Sequence, residues 1–484
     1  MSAASPDALR DQARTLHERL SAADGEHPAD IGYSLAVTRG ALGHRASVTG
    51  RDREEQLAGL AALAAGESAA GVLTAEPRAP GKTVFVFPGQ GSQWAGMGLK
   101  LLAESAVFRE EFEAVERALL PHLDWSPGGV LRGEPGQPSL ERVDVVQPLL
   151  FAVMVSLAGL WRASGVEPAA VVGHSQGEIA AAYVAGALSL EDAARIVASR
   201  SLVLTRLVGR GGMVSVAAGE QRVAGLLAPW EGRLSVAAVN GPASVIVSGD
   251  GEALDELLAV CAGADLRARR VQVDYASHSA HVDEVRADVV GGLAGIAPRA
   301  ARIAFWSTVT GARLDTAELT PEYWFRNLRE PVRLADTVRA LAGRGHHTFL
   351  EISPHPVLGL GLSGTLDDCV ADGAGAVLGT LRRDEGDRSR FLRSLAEAHV
   401  RGVRVDWERA YAGGPYRTVE LPTYAFQHRS YWFAHHAPHG TVAAPAVADG
   451  PFWSAVADPD ASALAGLLGV AEDAPLTAVL PAPS

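Results

Sequence analysis

A serine set between two glycines directly after an apolar run is an arrangement suited to nucleophilic attack. Gly173-His-Ser-Gln-Gly177 follows Pro168-Ala-Ala-Val-Val172, which reads as a buried strand, and precedes a stretch that reads as a helix over 178–187. So tight a turn leaves no room for side chains at its flanks, so the glycines let the backbones pass while Ser175 is held out at the helix N-terminus. The chemistry such a site performs is acyl transfer through serine, with N–H groups at the helix start aimed at the developing oxyanion. A serine nucleophile needs a base, and the best candidate is His278 in Tyr275-Ala-Ser-His278. His174, beside the nucleophile, is expected to point away from it and to shape the turn. Arg200 stands in a largely apolar stretch, 193–204. A buried arginine calls for an anionic partner, and a substrate with a free carboxylate would supply one through a two-pronged pair. Gln90, in Gly89-Gln-Gly-Ser-Gln93, follows the apolar strand Thr83-Val-Phe-Val-Phe87. Loops at the carboxyl end of parallel strands are where α/β ligands sit, and the Gln90 N–H is placed to complete an oxyanion hole.

The elements that must position these groups alternate in type. From about 81 to 383, apolar runs at Thr83–Phe87, around Val171, and at 244–247, 303–307 and 348–352 alternate with amphipathic stretches, which predicts a largely parallel sheet with helices on both faces. Ahead of it, residues 1–80 read as a small α/β unit. Leu9, Ala13, Leu16 and Leu20 share a helical face, a second helix follows Pro28, His44–Val48 reads as a strand, and a helix over Arg53–Ala65 precedes a strand near Val72. After Leu381-Arg-Arg-Asp384 come a helix over Phe391–Val400 and an aromatic-rich segment to Phe433, so 384–433 forms a further segment. Residues 434–450, rich in Ala, Pro and Val, read as a flexible linker, and 451–484 as a truncated start of a following domain.

Charge and composition narrow the function classes. A net charge of −13 disfavours nucleic acid and anionic membranes as partners. Only Lys82 and Lys100 are lysines, so a site for an anionic substrate must be built from arginine, which suits planar recognition of carboxylate or phosphate. Cys261 and Cys369, without paired spacing, argue for a reducing compartment. The N-terminus has no secretory pattern, and the longest apolar run, around Leu149–Trp161, is expected to fall short of a membrane span, so the expected location is cytoplasmic. Gly359-Leu-Gly-Leu-Ser-Gly364 matches a dinucleotide glycine pattern, but Pro354 and Pro356 separate it from the preceding strand. The histidines at 428, 435, 436 and 439 lack partners at metal-ligand spacing, so no metal site is expected.

Together, Phe87-Pro-Gly-Gln-Gly-Ser-Gln93, Gly173-His-Ser-Gln-Gly177, Arg200, Tyr275-Ala-Ser-His278 and Tyr323-Trp-Phe-Arg-Asn-Leu328 resemble the acyltransferase domain of modular type I polyketide synthases. Residues 1–80 resemble the linker domain between ketosynthase and acyltransferase, 384–433 the segment wrapping back after the acyltransferase, and 451–484 the opening of a ketoreductase region. The resemblance implies an α/β-hydrolase-like core with a small ferredoxin-like subdomain inserted at about 209–276. It implies Ser175 as nucleophile, His278 as general base, Arg200 as the clamp on a malonyl-type carboxylate, and Gln90 and Gln176 as the oxyanion N–H donors. It also places at Asn327 the backbone carbonyl that orients the histidine, with Asp274 or Asp283 as the open alternative in a Ser-His-Asp triad. No bound cofactor is implied. The substrate would be an acyl-CoA, and the partners an acyl carrier protein with its phosphopantetheine thiol and a ketosynthase docked through the linker.

Three positions bear on the acyl group. Arg142-Val-Asp-Val-Val-Gln147, Gln176 and Tyr275-Ala-Ser-His278 all resemble methylmalonyl-type domains. Malonyl-type domains carry phenylalanine where this chain has Ser277, and the smaller residue leaves room for an α-methyl group. One methyl is worth only about 1–3 kcal/mol, so leakage toward malonyl or ethylmalonyl is expected. Two other readings compete: a serine thioesterase or esterase, for which a buried Arg200 would be useless, and a non-catalytic scaffold docking neighbours through 1–80 and 384–433.

Overall fold

Alternate residues of the strand Thr83–Phe87 divide between two cores, as the two-residue period of a strand requires. Phe85 and Phe87 pack with Phe151, Val171 and Ile179, whereas Val84 and Val86 pack with Val172, Trp306, Leu334 and Phe349 on the other face. A strand covered on both faces must be apolar throughout, and this one is. The computed structural model describes residues 1–22, 25–75, 81–370, 373–412, 414–428, 451–458 and 460–475.

Thr83–Phe87 lies inside a six-stranded sheet in the order Ala312–Arg313, Ala304–Ser307, Ala170–Gly173, Thr83–Phe87, Thr348–Glu351, Ala376–Gly379. All neighbours are parallel except Ala312–Arg313, which closes one edge antiparallel. Helices cover both faces, giving the expected α/β class. Val143–Ala163 is long and apolar enough to cross a membrane, longer than the sequence suggested because Pro148 sits within its first turns without ending it. It is buried along nearly its whole length, as the core helix of the larger cluster.

Between the helix Leu190–Leu204 and Tyr275 the chain builds a second sheet, with strands Leu234–Gly241, Ser244–Gly249, Gly212–Val216 and Ala268–Arg270 in that order, all antiparallel. The helices Glu220–Leu227 and Gly251–Gly263 complete a β-α-β-β-α-β, ferredoxin-like unit with its own core around Val214, Val247 and Leu257. The run at 244–247 therefore belongs to this insertion and not to the parallel sheet. Gly359-Leu-Gly-Leu-Ser-Gly364 lies within the helix Gly359–Cys369, where Gly361 admits the backbone of Asn240: a Cβ there would sit 2.3 Å from the Asn240 carbonyl oxygen.

The N-terminal residues form a three-stranded antiparallel sheet, Ser2–Ala3, His44–Val48, Val72–Ala75, packed by the helices Pro6–Ala22, Pro28–Val37 and Arg53–Ala65. The segment after the sheet domain returns to it. Arg45 donates to His399 O, Arg39 to Leu421 O and Pro422 O, and the Ala4 N–H to the Tyr424 hydroxyl. Residues 1–426 make one compact unit and 427–484 a second, in which the helices Pro451–Ala457 and Ala461–Leu468 are described. The linker read over 434–450, with His435, His436 and His439, lies outside the described residues.

Candidate active site

Ser175 sits in the turn joining Ala170–Gly173 to the helix Gly177–Val184, with φ of +53°. Such a φ is costly for a side-chain-bearing residue and marks a functional turn. The flanking glycines are steric necessities. A Cβ on Gly173 would lie 2.2 Å from Glu178 Cα, and one on Gly177 2.1 Å from the Phe87 carbonyl oxygen. The same carbonyl accepts from the His174 N–H at 2.8 Å, tying the turn to the neighbouring strand.

Ser175 Oγ donates to His278 Nε2 at 2.9 Å. The opposite ring nitrogen, Nδ1, donates to the Glu330 carbonyl at 2.7 Å. A carbonyl only accepts, so that bond fixes the tautomer with Nε2 free to take the serine proton. The orienting carbonyl therefore belongs to Glu330 and not to Asn327, because Asn327 lies within the helix Pro321–Arg329 and it is the residue capping that helix, Glu330, whose carbonyl meets the imidazole. No Ser-His-Asp triad forms: Asp283 pairs with Arg329, and Asp274 offers its backbone carbonyl to the Gly209 N–H. Burial, and after it the charge of Arg200, push the His278 imidazole down to about 3, so it is neutral and competent to accept a proton.

Arg200, on the helix Leu190–Leu204, is only 2% exposed. Its Nη2 donates to Ser175 Oγ at 3.1 Å, its Nη1 to Asn327 Oδ1, and its Nε–H meets no acceptor among the described residues. Burial lowers its pKa only to about 10, so the cation persists at neutral pH. A charged, desolvated fork with an unmet donor beside a nucleophile suits an incoming carboxylate.

Gln90 and Gln176 lie at the ends of neighbouring strands, and neither backbone N–H is spent on a protein acceptor among the described residues. The Gln90 side chain accepts from the Tyr275 hydroxyl at 3.0 Å, which in turn accepts from Gln147 Nε2 at 3.2 Å. Both side-chain amide atoms of buried Gln176 lack partners among the described residues, and Ser277 is buried next to His278. His174 turns away from Ser175, its Nε2 meeting Asn240 Oδ1 of the ferredoxin-like unit at 2.8 Å. Sequence reasoning missed Glu178, fully buried one helical turn after Ser175, although the buried-charge argument that singled out Arg200 applies equally to a glutamate amid Ile179 and Ala180–Ala182. Burial raises its carboxyl above the usual range, against hydrogen bonds from Tyr323, Thr308 and Asn327 that favour the charged form.

Comparisons with known proteins agree with this geometry. Residues 84–405 match the acyl transferase domain family, and residues 1–60 match the family described as CurL-like, PKS C-terminal. Residues 449–484, read from the sequence as the opening of a following ketoreductase-like region, match the polyketide synthase dimerisation element domain. The spectinabilin polyketide synthase system protein NorA' of Streptomyces orinoci is 56% identical over 461 residues, 95% of this chain and 13% of that protein. Erythronolide synthase EryA2 of Saccharopolyspora erythraea is 49% identical over 473 residues, 96% of this chain and again 13% of that protein. This chain thus spans a small fraction of those relatives' length. The acyltransferase domain from module 8 of the salinomycin polyketide synthase matches with a TM-score of 0.81 at 52% identity, covering 84% of this chain and 96% of that one. With a serine elbow, a histidine and a buried arginine on an α/β sheet, and with that kinship along most of its length, the chain belongs to the acyl transferase domains of modular type I polyketide synthases.

Proposed function

We propose that this chain loads a malonyl-type extender unit, methylmalonyl by preference, from coenzyme A onto an acyl carrier protein. The observation that carries the reading is Arg200: a buried cation with an unmet Nε–H, within hydrogen-bond reach of the nucleophile. A serine hydrolase for neutral acyl chains gains nothing from that charge.

The reaction runs in two halves. Ser175 Oγ attacks the thioester carbonyl while His278 Nε2 takes its proton, and the tetrahedral oxyanion is received by the Gln90 and Gln176 N–H groups. Collapse expels the coenzyme A thiolate, which takes the proton back from the imidazolium, and leaves an acyl-serine. The phosphopantetheine thiol then repeats the sequence in reverse roles. Arg200 holds the free carboxylate through both halves, and the carboxylate in turn offsets the charge that depresses His278. Ser277, beside His278, is the position where a small side chain leaves room for an α-methyl group. Docking of a ketosynthase through residues 1–80 and 384–433 belongs to the same reading.

The test is intact-protein mass spectrometry with equal amounts of acetyl-, malonyl-, methylmalonyl- and ethylmalonyl-CoA, beside Ser175→Ala. A dominant methylmalonyl adduct absent from the variant is the expected result. A dominant acetyl adduct, or an adduct surviving in Ser175→Ala, would overturn the reading.

A further inference from the structure

Glu178, fully buried on the elbow helix, reaches Thr308 after the strand Ala304–Ser307 and Tyr323 and Asn327 on the helix Pro321–Arg329. Its Oε1 accepts from the Thr308 N–H at 2.5 Å and lies 2.8 Å from Thr308 Oγ1, whose single proton is shared with the Gly173 carbonyl at 2.9 Å, while its Oε2 accepts from the Tyr323 hydroxyl at 2.6 Å and from Asn327 Nδ2 at 2.8 Å. Three donors and a shared hydroxyl proton thus surround its two oxygens. Its buried neighbours on the helix, Ile179 and Ala180–Ala182, are apolar, and an apolar residue would be cheaper to bury there than a carboxylate. What an apolar residue cannot do is accept from Asn327.

The two ends of an asparagine amide differ, one donating and one accepting. Asn327 Nδ2 is drawn to Glu178 and, at 3.2 Å, to the Ser175 carbonyl, so Oδ1 is left facing Arg200 Nη1. The reversed amide would set an NH2 against a guanidinium, donor to donor. One residue further away than a direct ion pair, the carboxylate orients the cation without consuming it. We propose that Glu178 is a positioning residue for substrate selection: by fixing which end of the Asn327 amide faces Arg200, it holds the guanidinium ready for a carboxylate and so favours dicarboxylic over neutral acyl groups. The inference rests on the reading that Arg200 receives the substrate carboxylate.

The test uses the full chain and its Glu178→Gln, Asn327→Ala and Tyr323→Phe variants, with kcat and KM for acylation measured separately with methylmalonyl-CoA and acetyl-CoA. Glutamine keeps the shape, but one of its ends must present an NH2 to a donor. The expected loss in kcat/KM for methylmalonyl-CoA is about tenfold or more, the low end for one hydrogen bond to a charged group, carried mainly by KM, with acetyl-CoA little affected. Asn327→Ala gives the same selective loss, and adding Glu178→Gln to it changes the ratio no further. Tyr323→Phe removes another bond to the same carboxylate but leaves Asn327 in place, so it lowers the melting temperature and not the ratio. Equal losses for both acyl groups, or additive effects in the double variant, would overturn the inference. Should Glu178→Gln not fold, Asn327→Ala alone decides: a folded variant with unchanged selectivity overturns it. A wild-type chain without preference for methylmalonyl-CoA overturns the parent reading and this inference with it, whereas a selective wild type with unselective variant effects overturns this inference alone.

Discussion

Replacing Arg200 separates the two things its charge does. On the proposed reading, Arg200→Ala deprives the substrate carboxylate of a two-pronged, charge-assisted partner in a buried site. At about 1.5–3 kcal/mol for each hydrogen bond to a charged group, two such bonds give roughly 3–6 kcal/mol, or about a hundred- to ten-thousandfold in kcat/KM for methylmalonyl-CoA. Acetyl-CoA has nothing to lose. For it the variant has a gain, because the Arg200 charge is the second cause, after burial, that holds His278 down at about 3. Removing the charge lets the base strengthen, so acetylation of Ser175 should hold or rise. Arg200→Lys divides these effects: a single ammonium keeps the repulsion on His278 but lacks the planar fork, so methylmalonyl transfer falls while acetylation stays low. Steady-state transfer to a carrier protein, with intact masses of the acyl-enzyme, reads both. Parallel losses for the two substrates in Arg200→Ala would refute the reasoning, since they would mean Arg200 serves the fold or the serine and not the carboxylate.

Other consequences are as direct. With the imidazole of His278 held at about 3, acylation by acetyl-CoA against pH should have no inflection near 6.5 and decline only at much lower pH, measured by stopped-flow release of coenzyme A. The same depression makes stability fall as pH drops from 6.5 toward about 3, because over that window the unfolded chain binds a proton that the folded chain refuses; chemical denaturation at several pH values checks the sign. Gly177→Ala forces a Cβ to 2.1 Å from the Phe87 carbonyl and should abolish acylation, at a cost of roughly 1–3 kcal/mol or more in stability, whereas Gly251→Ala meets nothing within 4 Å and should be neutral or stabilising by up to about 1 kcal/mol in thermal melts. Ser277→Phe fills space beside His278 and should shift the adduct ratio from methylmalonyl toward malonyl by about 10- to 100-fold, the worth of one methylene-sized contact, in a competition read by mass.

What the sequence made legible was whatever leaves a local trace. The elbow was readable because its glycines and its strand are contiguous, and the close approaches at Gly173 and Gly177 turn that pattern into a steric requirement. The four inner strands Thr83–Phe87, Ala170–Gly173, Ala304–Ser307 and Thr348–Glu351 were readable for the same reason, being short and largely buried apolar runs, whereas the edge strands Ala312–Arg313 and Ala376–Gly379, exposed and half-buried, left no such trace. The carbonyl that orients His278 was not readable, since every residue has one and only the path of the chain after Arg329 selects Glu330. The strand at 244–247 was visible as a strand but its sheet was not, because apolar runs of that length suit a parallel core and an antiparallel insertion alike. Glu178 was overlooked for a different reason. An acidic residue in the first turn of a helix is ordinary dipole chemistry on a surface, and only its burial makes it exceptional.

The elbow, the base and the cation also explain one another. A histidine as weak as His278 is a poor base for the nucleophile it must activate. The conflict lifts once the site is occupied by an acyl group with its own anion. On the proposed reading its carboxylate offsets the Arg200 charge, the second largest of the causes that weaken the imidazole, at the moment the thioester arrives. A neutral acyl group brings no such relief, so it meets Ser175 beside a base that burial and the uncompensated cation still hold down. Discrimination then acts on the chemical step as well as on binding, and interactions realised at that step raise turnover where uniform binding cannot. On this argument the buried arginine costs the enzyme reactivity toward water and stray acyl groups only while the proper substrate is absent, so spontaneous hydrolysis of an acetyl-enzyme should rise in Arg200→Ala even as loading with methylmalonyl collapses.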